Sequence, residues 1–182
     1  MPDDLLGFAL LCLARNAINE CFALESQAAS KHPSLTAPGA TFVTLTLNGH
    51  LRGCIGSLQA HRPLAEDVSA NAVAAAFRDT RFAPLSRAEW PQTRVEVSLL
   101  ETSVPMEFVD EADALARLHP GVDGLILSMG SRRATFLPQV WESLSDPRQF
   151  MAQLKLKAGL PADFWDEKIT LARYGVQKWK EA

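Results

Sequence analysis

The segment Leu51-Arg52-Gly53-Cys54-Ile55-Gly56 is where the residue types of this chain point most directly to chemistry. A cysteine thiolate is a nucleophile and can carry a covalent adduct. Glycine is poor in strand interiors, so Gly53 and Gly56 around Cys54 imply a bulge or a backbone that something approaches closely. The two-residue spacing of Arg52 and Cys54 puts them on one face of a strand, ~7 Å apart along it. A guanidinium at that range favours a thiolate. His50 shares the face but lies ~13 Å from Cys54, too far to act as a ready base. Cys54 is then the nucleophile and Arg52 its counter-charge or an anion anchor, with the glycines admitting a substrate. The competing reading is packing, because cysteine often behaves as a small buried hydrophobe.

Other candidates are weaker. Glu96 and Ser98 share one face of a second strand, and Glu96 suits an acid-base or orienting role if Arg52 lies across a cleft from it. Arg133 follows Arg132 at a turn and offers a fork for carboxylate or phosphate. Gln139 opens a helical turn. Cys54, Arg52 and Glu96 are thus the candidate catalytic residues. Gly53, Gly56, Ser98, Arg133 and Gln139 are the candidate substrate contacts. No metal site is read: the four histidines never fall at i, i+4 on a helix, and there is no C-x-x-C. Dinucleotide, P-loop and serine-elbow motifs are missing too.

These residues need elements to hold them. Residues 41–47 (TFVTLTL) alternate with period two and are rich in β-branched side chains, so they form a strand. Asn48-Gly49 suits a type I′ turn, and the return strand starts at His50. A two-residue loop pairs Leu47 with His50, Leu45 with Arg52 and Val43 with Cys54. Residues 4–29 read as a helix capped by Asp3 or Asp4, with Leu6, Leu10, Ala14, Ala17, Cys21 and Leu24 on its apolar stripe. Cys21 is therefore expected in the core, and Cys12 in a second packing position. Pro63 opens a helix running to about Phe77. Strands follow at 94–100, 125–128, 133–137 and 168–174, with a short helix at 111–118. Pro138 starts a helix carrying Val140, Trp141 and Leu144, where Trp141 is a core residue. Asp146-Pro147 caps and opens another helix that ends before Gly159. Two tight hairpins among mixed elements favour an α+β fold over a parallel doubly wound one.

Composition sets the outer limits. A chain of 182 residues and 19.9 kDa, 47% hydrophobic and 21% charged, is an ordinary globular sequence. No apolar run reaches the ~18 residues of a membrane span. The apolar stretch 5–13 follows two aspartates rather than a basic region, so it is not read as a signal peptide. Three cysteines, an odd number, suit reduced thiols in a cytoplasm. A net charge of −3, with no basic helix or aromatic series, makes nucleic acid an unpromising ligand.

At LRGCIGSL the chain resembles the AMMECR domain family, also called AmmeMemoRadiSam system protein A. The likeness extends through 63–85 (PLAEDV…NAVAAAFRDTRFAPL), Glu96-Val97-Ser98-Leu99, Gly121-Val122-Asp123-Gly124-Leu125, Thr135 to Trp141, and Leu154 to Pro161 with Trp165. The resemblance implies an α+β fold with an antiparallel sheet flanked by helices. It implies one domain over 1–182, of a larger and a smaller lobe, with the signature strand near a groove between them. It implies a shared pathway with a Memo-like protein and a radical SAM protein. It brings no settled activity or cofactor. Two functional readings remain: an enzyme or enzyme subunit using Cys54 on a small-molecule or protein substrate, and a binding or scaffold protein for those partners, in which the groove holds a small molecule or a peptide.

Overall fold

The computed structural model describes residues 3–28 and 30–182. Its elements run α1 (Asp4–Cys21), β1 (Thr41–Leu47), β2 (His50–Gly56), α2 (Leu64–Phe77), β3 (Thr93–Leu100), β4 (Val104–Pro105), α3 (Glu111–Ala116), β5 (Gly124–Met129), β6 (Arg132–Phe136), α4 (Pro147–Lys157), β7 (Thr170–Tyr174) and β8 (Val176–Lys180). The chain divides into two compact units, one of residues to Leu100 with Gln177–Ala182, the other Glu101–Val176. Each has its own four-stranded sheet, in the orders β2-β1-β3-β8 and β4-β7-β5-β6. The strand pairs with a given register are antiparallel in both sheets, so the α+β expectation holds.

In the first unit β1 alternates as its sequence demands. Thr41, Val43 and Leu45 are buried, and Val43 and Leu45 pair with Val97 and Val95 of β3. These side chains meet Leu6, Leu10, Ala14 and Ile18 of α1 and Val68, Ala72 and Ala75 of α2 in one core. Asn48 and Gly49 take φ of 51° and 79°, which supplies the positive dihedrals that the tight hairpin requires. Asp67 is fully buried beneath the strand ends. It accepts hydrogen bonds from Thr41 N (2.8 Å), Thr41 Oγ1 (2.7 Å), Ser57 Oγ (2.6 Å), Arg62 Nε (2.8 Å) and Asn71 Nδ2 (3.0 Å). A buried carboxylate persists only when it is paired in this way, and the network ties α2 to both strands of the hairpin.

Helix α1 stops at Cys21, eight residues short of the expected end at 29. Ala23 enters the left-handed region at φ 52° and ends the helix. Two asparagines of α1 then hold the following chain. Asn19 Nδ2 donates to Glu25 O (2.9 Å), and Asn16 exchanges bonds with the backbone of Gln27 (2.9 and 3.0 Å). Cys21 is consequently exposed at the helix end rather than in the core, whereas Cys12 is buried as expected. Asp3 is the cap, its carboxylate accepting from Leu5 N and Leu6 N. Pro63 is the cap residue of α2, one position earlier than expected.

In the second unit Leu125, Leu127 and Leu171 pack against Phe150, Met151 and Leu154 of α4. The segment Pro138–Glu142 is a short 3₁₀ turn, not an α-helix. It delivers Trp141, which stacks on Phe150 at 3.7 Å and donates from its indole N–H to Asp123 O at 2.7 Å. Asp146 and Pro147 start α4 as expected, and Gly159 follows its end at φ 79°. Strand β8 was not expected from its short, lysine-containing sequence. It completes the first sheet, and the Trp179 ring occupies the space where a side chain at Gly7 would stand.

Candidate functional site

Strand β2 is the edge of the first sheet, and its pairing with β1 departs from the expected register. Leu47 pairs with His50 and Thr46 with Leu51. Leu45 then pairs with Gly53, and Thr44 with Cys54, leaving Arg52 as the extra residue of a β-bulge. A one-residue slip reverses which face each following side chain occupies. Gly53 and Ile55 therefore face the core with Leu45 and Val43, while Cys54 joins Thr44 on the opposite face. The glycine pattern announced a bulge, but the simple hairpin count placed Arg52 opposite Leu45 and Cys54 opposite Val43.

The bulge sends Arg52 away from Cys54. Its Nε and Nη2 bond both carboxylate oxygens of Glu89 (3.0 and 3.1 Å), and Nη1 and Nη2 donate to Ala83 O (2.9 Å) and Pro84 O (3.4 Å). This bidentate pair is partly exposed on its Glu89 side, and it holds Glu89 down to about 2, aided by the backbone and hydroxyl of Ser86. The expected partnership of Arg52 with the thiol, or with Glu96 across a cleft, is replaced by a clamp on the segment after α2.

Both glycines have structural reasons. A Cβ on Gly53 would stand 2.1 Å from Ala75 O, so α2 crosses β2 at backbone contact there. A Cβ on Gly56 would stand 2.2 Å from the Phe42 ring, which covers it across the strand pair. At both positions the space that a side chain would take is already filled.

Cys54 is half-buried, and its sulfur lies 3.3 Å from Thr44 Oγ1. Its backbone, on the free edge of the sheet, is completed by side chains. Cys54 N donates to Asp79 Oδ2 at 2.9 Å, and Arg81 Nη2 donates to Cys54 O at 3.4 Å. Asp79 also accepts from Arg81 Nε (2.9 Å), Arg81 Nη2 (2.6 Å) and Arg81 N (3.1 Å). The Arg81 hydrogen bonds hold the Asp79 carboxyl well below the usual range, and those to Cys54 N and Arg81 N add to this. Arg81 in turn holds its proton more tightly, chiefly through Asp79 and partly through attraction to Cys54. The cation beside the cysteine is thus Arg81. It sits in the segment 63–85 but was not singled out, because only the fold brings it to the edge strand.

On the same face Thr44 pairs with Cys54 on one side and with Glu96 on the other. Cys54, Thr44 and Glu96 form a row across three strands, with Glu96 about 10 Å from Cys54 by strand spacing. Gly56, Phe42 and Ser98 form the next row, and Ser98 is buried. Arg133 on β6 and Gln139 in the 3₁₀ turn belong to the second unit and are exposed there. Among the described residues no group of three His, Cys, Asp or Glu is placed to hold a metal ion. No helix of the described residues is long and apolar enough to cross a membrane.

The two-sheet α+β architecture, with a glycine-flanked cysteine on an edge strand, defines a class of small mixed proteins. Comparison with known proteins specifies it. The AMMECR1 family matches over residues 11–179, and the chain belongs to that family. A protein of Methanothermobacter thermautotrophicus is 39% identical over 142 residues, 77% of this chain and 74% of its own length. One from Aeropyrum pernix is 37% identical over 98% of this chain and 80% of its own. The crystal structure of an uncharacterized protein from Pyrococcus horikoshii superposes with a TM-score of 0.81 at 32% identity. That match covers 100% of this chain and 93% of the other.

Proposed function

We propose that the protein is an enzyme, or the substrate-carrying subunit of one, in which Cys54 forms a covalent bond to an electrophilic small molecule or peptide. One observation carries this reading. Within Arg52–Gly56 every other residue is engaged in structure: Arg52 in its clamp, Gly53 under α2, Ile55 against the core and Gly56 under Phe42. Cys54 is half-buried, its thiol touches only the Thr44 hydroxyl among the hydrogen-bonding groups described, and its backbone is fixed at both N and O by Asp79 and Arg81. Such preorganisation suits a reacting group. In the step, the sulfur electron pair forms the bond to the substrate carbon and the leaving group departs with its own pair. The thiol proton passes by way of the Thr44 hydroxyl toward Glu96. Arg81 supplies positive charge beside the sulfur in the role first given to Arg52. Ser98, Arg133 and Gln139 remain substrate contacts only as proposals.

The family likeness supports a Memo-like protein and a radical SAM protein as pathway partners, and a cytoplasmic setting would keep the thiol reduced. Intact-mass and peptide analysis of the protein co-produced with those partners tests the reading. An adduct on Cys54, missing from Cys54→Ser, supports it; an adduct on another residue, or full partner-dependent function in Cys54→Ser, overturns it. A scaffold role is the second reading, favoured by the structural employment of the rest of the motif. It predicts unchanged partner binding in Cys54→Ser.

A further inference from the structure

The second unit holds a separate constellation. A cleft of about 290 Å³ is lined by Pro105, Met106, Glu107, Arg117, His119 and Arg173. Three of these side chains are oriented through one part and present another. Arg117, at the end of α3, uses Nε to reach both carboxylate oxygens of Asp113 at 3.0 Å. His119 directs both its backbone N (2.8 Å) and its ring Nδ1 (3.2 Å) at Asp123 Oδ2. The same Nδ1 lies 3.5 Å from Arg173 Nη1, so the imidazole is held between a carboxylate and a guanidinium. Arg173, reaching from β7, donates from Nη1 to Arg117 O at 3.3 Å and sits 4.0 Å from Asp123. The terminal nitrogens of Arg117, Nη2 of Arg173 and Nε2 of His119 have no hydrogen-bond partner among the described residues.

Ion pairing and helix capping explain how these groups are held. They do not explain why two guanidinium groups and an imidazole converge on one concave surface beside Pro105 and Met106. We propose that this cleft binds a small-molecule oxyanion, a phosphate or a carboxylate. Arg117 and Arg173 donate to its oxygens, His119 borders the site, and Pro105 with Met106 forms an apolar wall for the ligand's body. Guanidinium groups match both oxyanions through paired N–H donors. Glu107 opposes the ligand's charge from the lining, and Asp113 and Asp123 partly offset the two arginines, so affinity is modest. The site is independent of Cys54.

The test is an ¹⁵N–¹H NMR titration of the full chain at low ionic strength, with sodium phosphate and sodium acetate as separate probes and sodium chloride as control. Saturable shifts centred on Arg117, His119 and Arg173, below about 10 mM with one probe and missing with chloride, are expected. The probe that saturates identifies phosphate or carboxylate as the ligand group. Arg117→Gln should weaken that binding about tenfold, as loss of a charged donor does. Glu107→Gln should tighten it several-fold by removing a like charge, a change that a structural role for the cluster would not produce. Absence of saturation with both probes, shifts centred elsewhere, or an affinity unmoved by Glu107→Gln overturns the proposal.

Discussion

Substituting Gly53 separates two explanations of the glycine-flanked cysteine. If the glycine exists to admit a substrate, Gly53→Ala should fold normally and lose function. The geometry predicts the opposite order of events. The added Cβ would lie 2.1 Å from Ala75 O and 3.0 Å from Ala75 C, both backbone atoms of α2. A carbon normally approaches a carbonyl oxygen no closer than about 3.3 Å, so helix and strand must separate by about 1 Å. They are joined by a core of fully buried side chains that includes Val43, Leu45, Val68 and Ala72. Overpacking usually costs about 1–3 kcal/mol, and a clash with backbone belongs at the upper end. At about 2–4 °C per kcal/mol for a chain of this length, Tm should fall by roughly 6–12 °C. Gly56→Ala is the control, because its clash is with the Phe42 ring, a side chain that can move; it should lose about half as much or less. Thermal unfolding followed by circular dichroism measures both. A Gly53→Ala protein melting within about 2 °C of the parent would refute the packing argument and return Gly53 to the substrate.

The other predictions concern the charged groups around β2. Arg52→Ala and Glu89→Ala should each destabilise by about 1–3 kcal/mol, with a double mutant hardly worse than either, as a thermodynamic cycle in urea would show. Arg52 holds the folded Glu89 at about 2 against an ordinary 4.5, so this pair's contribution is complete above pH 4.5 and is lost as pH falls toward 2. Glu89→Gln should therefore flatten acid unfolding over that window. Asp79→Asn should loosen the edge strand, seen as faster amide exchange at Cys54, and should cost about 2 kcal/mol. Arg81→Gln should slow alkylation of Cys54 several-fold while barely changing that of Cys21, since only Cys54 lies beside that guanidinium.

The hairpin, the capped start of α4 and the core position of Trp141 were legible because each rests on local rules: period two, Asn-Gly at a tight turn, Asp-Pro at a helix start. What was lost depended on contacts distant in sequence. The end of α1 is set by Asn16 and Asn19 binding the chain beyond it, so a helical stripe running to Leu24 misplaced Cys21. The bulge at Arg52 was signalled by the glycines, but its position is decided by Ala75 on α2 and Glu89 beyond it. Cys54 and Glu96 were picked out by residue type and share a face through Thr44, yet neither Thr44 nor Arg81 carries a motif of its own. Arg81 becomes part of the site only because Asp79 caps the edge of β2.

The proposed function requires Cys54 to be a chemically poised thiol. Site-resolved alkylation of the native protein measures it directly, with peptide mass spectrometry following Cys12, Cys21 and Cys54 at pH 6 to 7. Half-buried Cys54 should react faster than exposed Cys21, while buried Cys12 stays protected. A Cys54 that reacts no faster than Cys21 would contradict it and leave the residue as a packing element of a binding protein.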